Sequence, residues 1–232
     1  MTAQTPSRHK VRLQARDGHE FAAWRGDPST TPKGGIVILH AVYGLTDHMG
    51  DVCAQWATAG YAAIAPALFD RRHPAGSPVH PYNRAGADAG IADYAALTEQ
   101  EIFADVTACM EALRPGGKVA ISGFCTGGTW AWRASAALPF DAQVNFYGSH
   151  VPQYPDIEPL CPTIMHYGDS DIIVPLAAVE GIIAAHPKVN VVVYPGGGHA
   201  FFNQAQEHFN PAAARRAWEK SLAFMDRHVA PR

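Results

Sequence analysis

No stretch of the chain approaches the ~20 consecutive apolar residues of a membrane-spanning helix, so nothing marks an integral membrane protein or a membrane partner. The start, MTAQTPSRHK, has no apolar run behind its basic residues, and a cytoplasmic location is the expectation. Cysteine is scarce. The four thiols, Cys53, Cys109, Cys125 and Cys161, are widely spaced without a C-x-x-C pair, which argues against a zinc knuckle or a dithiol motif and reads as reduced cysteine. A large charge of one sign is missing too: with a net charge of −3 there is no broad basic field for nucleic acid, and an anionic substrate would have to be held by local charges. Internal repeats and low-complexity tracts are absent. His73 and His80, in RRHPAGSPVHPY, lack ligand spacing and a nearby Cys or acidic partner, so no metal is expected, and nothing in the chain implies a cofactor.

What remains is a chain of 232 residues, 47% hydrophobic, a size that one α/β core accommodates; a single domain over residues 1–232 is expected. Alternating segments at Lys10–Ala15 and Glu20–Trp24 flank Arg16-Asp17-Gly18, a hairpin signal. Gly35–His40 and Tyr61–Pro66 are continuous apolar runs, the pattern of strands covered on both faces. Between them the pattern from Asp47 to Ala59 is helical and stops at Gly60. Residues Ala67 to about Gly90 form a long proline- and glycine-containing excursion with no readable periodicity. Thr98 and Glu101 have capping-box spacing ahead of a helix that should end near Arg114, before Pro115-Gly116-Gly117. Strands at Lys118–Ser122, Gln143–Tyr147, Thr163–Tyr167 and Val189–Tyr194 then alternate with helices at Gly127–Ala137, Pro175–Ala185 and Pro211–His228. Such alternation predicts a mostly parallel, doubly wound α/β sheet whose chemistry lies at the carboxyl ends of its strands.

Three strand ends carry reactive side chains. After Lys118–Ser122 comes Gly123-Phe124-Cys125-Thr126-Gly127-Gly128 and then a helix, the G-x-S-x-G elbow pattern with cysteine in the serine position. Small residues are needed there because side chains on either side of a nucleophile on so sharp a turn would collide. A helix N-terminus beneath Cys125 favours both a thiolate and an oxyanion. After Thr163–Tyr167 comes Gly168-Asp169-Ser170-Asp171, where Asp171 is preferred as the orienting acid and Asp169 is read as a solvated or capping residue. After Val189–Tyr194 comes Pro195-Gly196-Gly197-Gly198-His199, and a flexible glycine run would let His199 swing over the elbow as base. Nucleophile, acid and histidine follow in the hydrolase order. The oxyanion donors expected are the backbone N–H groups of Thr126 and of Val42 in the loop after Gly35–His40. Tyr43 and Phe124 lie beside the expected site as pocket lining or core, and of Trp130 and Trp132 at least one should be core.

These residues resemble the dienelactone hydrolase, or carboxymethylenebutenolidase, family of the α/β-hydrolase superfamily. The matching pieces are His40-Ala41-Val42-Tyr43-Gly44-Leu45-Thr46-Asp47-His48, the cysteine elbow, Gly168-Asp169-Ser170-Asp171 with Val174-Pro175, and Gly198-His199-Ala200-Phe201, within a likeness over residues 10 to 228. The resemblance implies opening of cyclic enol-lactones through a cysteine acyl-enzyme without metal. It also implies a glutamate where this chain has Ala41, and an arginine for the substrate carboxylate where it has Asn203. Arg71, Arg72 and Arg84 in the excursion are the candidates to replace that arginine. The expected function is hydrolysis of a small ester or lactone, with a general carboxylesterase or thioesterase, or a redox-sensing relative using Cys125, as the alternatives.

Overall fold

The computed structural model describes residues 8–231, so the reading of the first residues as lacking an export signal lies outside the described residues. The chain divides into two compact units, residues 1–119 with 229–232, and residues 120–228.

In the first unit β1 (Arg8–Gln14) and β2 (Glu20–Gly26) form the expected antiparallel hairpin, with Val11 opposite Ala23 and Leu13 opposite Phe21. Gly18 takes the positive φ that the turn needs, at 87°. β2 pairs antiparallel with β4 (Ala62–Pro66), and β4 pairs parallel with β3 (Gly35–Leu39), so the order is β1-β2-β4-β3. Every residue of β3 and β4 is buried, as their unbroken apolar composition requires. α1 (Asp47–Thr58) buries Met49, Val52, Cys53 and Trp56 and packs on β2 and β4. α3 (Glu99–Leu113) starts in the expected capping box, with the Thr98 hydroxyl accepting from the Glu101 amide and the Glu101 carboxylate accepting from the Thr98 amide.

The excursion contains a short 3-10 turn, Leu68–Arg71, and a full helix, α2 (Arg84–Ala95), capped by the Asn83 side chain. α2 escapes a reading by periodicity because its sequence, RAGADAGIADYA, buries only Gly86, Gly90 and Tyr94. Arg71 leaves the 3-10 turn to donate to both oxygens of Asp105 on α3, at 2.7 and 3.1 Å, and reaches Asp17 of the hairpin turn at 2.8 Å. The Asp105 side chain is fully buried and that of Arg71 only 8% exposed, so this is a desolvated ion pair holding hairpin, excursion and helix together.

In the second unit β5 (Val119–Phe124), β6 (Ala142–Phe146), β7 (Thr163–Gly168) and β8 (Asn190–Tyr194) lie parallel in that order. Phe124 is level with Phe146, Phe146 with His166, and Gly168 with Tyr194, which brings the carboxyl ends to one edge. α4 (Thr126–Ala137) packs on β6, α5 (Leu176–Ala185) follows β7, and α6 (Pro211–His228) covers β6 and β7. Beneath α6 the Ser221 hydroxyl donates to the Ala217 carbonyl and accepts from His166 Nε2, while His166 Nδ1 accepts from the Tyr194 hydroxyl. Burial lowers the His166 pKa to about 3, so the ring stays neutral and can serve as donor at one nitrogen and acceptor at the other. Trp132 is buried in the core, whereas Trp130 is partly exposed under the Arg133 guanidinium.

Breaking the desolvated pair should be costly. Asp105→Ala is expected to lower unfolding stability by about 3 kcal/mol, since it removes the buried partner of two guanidinium hydrogen bonds and leaves Arg71 with Asp17 alone. Asp17→Ala should cost less than about 1 kcal/mol, because Asp17 is largely solvated. Urea midpoints of the two variants check this, and equal losses would contradict it.

Candidate active site

The elbow is built by one residue in an unfavourable conformation. Cys125 has φ 54° and ψ −121°, a backbone strained for any side chain, and it ends β5 and caps α4. The turn is held from both sides. The Cys125 amide donates to the Phe146 carbonyl at 3.1 Å, and its own carbonyl accepts from the Thr129 and Ser149 amides at 3.2 Å. The glycines are steric necessities: a Cβ on Gly123 would stand 2.1 Å from the Gly127 carbonyl oxygen, and one on Gly128 would stand 2.9 Å from the Gly148 Cα.

Asp171 follows β7 and is buried. Its Oδ1 accepts from the Ile173 and Val174 amides at 2.8 and 2.9 Å, and its Oδ2 faces His199 Nδ1 at 2.8 Å. A carboxylate must accept, so Nδ1 carries the proton and Nε2 is left for another group. Nε2 is buried without a hydrogen bond of ordinary geometry, and the group acting on the ring beside Asp171 is the Cys125 sulfur.

The two groups shift in opposite directions. Burial works against the charged imidazole, but the Cys125 sulfur and the Asp171 carboxylate outweigh it and raise the His199 pKa. Burial likewise works against the Cys125 thiolate, and the charge and hydrogen bond of His199, with the hydroxyl and amide of Thr126, lower its pKa nonetheless. A thiolate–imidazolium pair is the resting state these shifts favour.

The loops carrying Asp171 and His199 are laced together. Asp169 Oδ1 accepts from the Gly196 amide at 2.8 Å, the Asp169 amide donates to Tyr194, and the Ser170 amide donates to Gly197. A Cβ on Gly168 would lie 1.9 Å from the Gly197 carbonyl. The glycine run before His199 is therefore pinned and not a flexible tether, and Asp169, solvated as expected, also fastens the two loops.

Several other expectations change. Of the two readings for Phe124 the buried one is found, its ring stacked on that of Phe146 at 4.7 Å. Asn203 is buried and its carbonyl oxygen accepts from the Ala205 amide. Of the three arginines, Arg71 is committed to Asp105 and Asp17, Arg72 to Glu101 and the Ala96 carbonyl, and Arg84 to Asp88 one helical turn away. His73 and His80 do have an acidic partner, since Asp93 accepts from both at 2.7 Å, distant in sequence but near in space. In the first unit the loop after β3 is seated by α2, where a Cβ on Gly90 would meet the Val42 carbonyl at 1.6 Å. Val42 is buried there, and Tyr43 rests on Tyr82 with ring centroids 4.7 Å apart.

Sequence reasoning passed over the end of β6. Asn145 is buried, donates to the Gly128 carbonyl at 2.7 Å and accepts from the Gly148 amide at 3.1 Å, clamping α4 to that strand. Tyr147, with φ 42°, places its ring 5.2 Å from that of His199. The available signal was position alone, directly after a parallel strand.

Mostly parallel strands with an antiparallel pair at the start, an elbow between β5 and α4, and an acid and a histidine after β7 and β8 define the α/β-hydrolase class. The model of the dienelactone hydrolase family matches residues 21–229, and the chain belongs to that family and is a dienelactone hydrolase-like hydrolase. It is 27% identical over 226 residues to the carboxymethylenebutenolidase of Pseudomonas putida, covering 93% of this chain and 94% of that one. Among solved structures, a candidate dienelactone hydrolase from Klebsiella pneumoniae superposes with a TM-score of 0.84 at 23% identity, over 96% of this chain and 100% of the other. A dienelactone hydrolase-like promiscuous phosphotriesterase from metagenomic libraries gives 0.77 at 19% identity, over 97% and 100%. At those identities the two structures bear on the fold alone. No helix among the described residues is long and apolar enough to cross a membrane.

The lowered thiol pKa has a direct readout. Iodoacetamide should alkylate Cys125 well below the ordinary thiol pKa of about 8.5, with the rate falling only as acid protonates the depressed thiolate. His199→Ala removes the charge that depresses it and should move the alkylation midpoint upward. A wild-type profile with the midpoint of a free thiol would contradict the ion pair.

Proposed function

We propose that this hydrolase cleaves a small ester or lactone through a thioester on Cys125, with His199 as proton carrier and Asp171 as its orienting acid. The observation that carries the reading is the Asp171 Oδ2 to His199 Nδ1 contact of 2.8 Å, which leaves the opposite ring nitrogen for the sulfur.

The Cys125 thiolate attacks the carbonyl carbon, and the C=O pair moves onto oxygen. The Thr126 amide, first in α4, is the oxyanion donor within the second unit, and a donor of this kind is worth on the order of a hundredfold or more in rate. Collapse of the tetrahedral species breaks the bond to the leaving oxygen, which takes the proton from His199 Nε2. The now neutral imidazole removes a proton from water as the water oxygen attacks the thioester, and collapse of that second tetrahedral species breaks the C–S bond and expels the acid, leaving the electron pair on sulfur and His199 already protonated. Asp171 holds the ring in place throughout, its other oxygen fixed by two amide donors. The strained Cys125 backbone is retained because it aims the sulfur out of the turn and keeps the Thr126 amide beside it, where it can pass from the thiolate to the oxyanion.

Mass spectrometry of the protein mixed with activated esters and lactones is expected to find an acyl adduct on Cys125, and Cys125→Ala should abolish both adduct and turnover with the fold intact. His199→Ala should cost about as much as Cys125→Ala, and the double variant little more, because the residues act as one unit. Turnover retained by Cys125→Ala would end the proposal. Oxidation of Cys125 by peroxide with no turnover of any ester would favour a redox role instead.

A further inference from the structure

The chain turns sharply after β6 and places Ser149 and His150 against the elbow. The Ser149 amide donates to the Cys125 carbonyl at 3.2 Å, and the His150 amide donates to the Thr129 hydroxyl at 2.9 Å, so both residues are tied to the turn that carries the thiol. The Ser149 hydroxyl lies 3.0 Å from His150 Nδ1. His150 is exposed, yet the mechanism above gives it no work.

We propose that His150 is a specificity residue of the site, a neutral imidazole whose Nε2–H donates to an uncharged oxygen on the leaving-group side of the substrate. This rests on the reading of Cys125 as nucleophile. With the Ser149 hydroxyl donating into Nδ1, the ring carries its proton on Nε2 and turns that donor away from its own backbone. The leaving-group side follows from its neighbours: three residues earlier in the same turn the Tyr147 ring packs 5.2 Å from that of His199, which in the reaction above protonates the departing oxygen.

Neutrality follows from the surroundings. Partial burial and the positive charge of His199 both lower the His150 pKa. The helices packed against the turn after His150 add no carboxylate to reverse this: α4 carries Arg133, held over the rings of Trp130 and Tyr154, and α5 carries only Glu180, which is exposed. A neutral donor suits an ether, hydroxyl or carbonyl oxygen and gains little from a carboxylate. The engaged arginines and Asn203 point the same way, because the guanidinium that the family resemblance implies for a substrate carboxylate has no counterpart at Asn203 and Arg71 is locked in its own buried pair. The substrate class assigned is therefore an uncharged ester or lactone with a second oxygen near its leaving group.

Methoxyethyl, butyl and carboxypropyl esters of one acid test this, since they present an ether oxygen, its methylene counterpart and an anion. In the wild type the KM of the methoxyethyl ester should be about fivefold below that of the butyl ester, as one net hydrogen bond allows. The carboxypropyl ester should be the poorest of the three. His150→Ala should erase the ether preference through KM, and His150→Gln, which keeps an N–H donor, should restore most of it. An ether preference that survives in the alanine variant, a carboxypropyl ester that is the best substrate, or a kcat loss equal on all three esters in both variants would each overturn the inference. Acylation of Cys125 is followed by mass spectrometry in the same reactions. Absence of the adduct in wild type would strike the Cys125 reading itself, whereas an adduct without selectivity due to His150 strikes the present inference alone.

Discussion

A carboxylate removed from water needs a donor for each oxygen, and Asp171 meets that need with two amides of its own loop and one imidazole. The arrangement leaves no freedom to the partner. Once Nδ1 of His199 is committed, the ring plane and the position of Nε2 are set. The opposite shifts of His199 and Cys125 follow from this placement. Burial alone would favour the neutral imidazole and the protonated thiol alike; the pairing of ring and sulfur, with Asp171 behind the ring, reverses both.

Such placement survives only if the loops around it do not breathe. The glycines here serve closeness more than flexibility. Gly168 lets the Asp171 loop lie against the backbone of Gly197, and Gly123 and Gly128 let α4 approach β5 and the end of β6. Asn145 and Asp169 close the remaining gaps by spending side-chain hydrogen bonds on the main chain of neighbouring loops. The strained backbone of Cys125 is held in a frame of amide and carbonyl contacts that gives it no lower-energy alternative. The first unit uses charge for the same end, with Arg71 buried between Asp105 and Asp17.

Local pattern alone determined a good part of this protein. Unbroken apolar runs marked β3 and β4, the Thr98–Glu101 box marked the start of α3, and the elbow motif marked Cys125, because each depends on neighbours a few residues apart in the chain. The order of Cys125, Asp171 and His199, each after a strand, was legible for the same reason. α2 was not, since an alanine- and glycine-rich helix buries too little for its period to show. Tertiary structure decided the pairings. It brought Asp93 to His73 and His80, gave Arg71 to Asp105, tied Asp169 to Gly196, and set Ser149 and His150 against the elbow. Those partners lie 13 to 34 residues apart in the chain and meet only because strands and helices return them to one place. Burial then makes each encounter obligatory, for a charge or polar group without water must take whatever donor or acceptor the fold delivers.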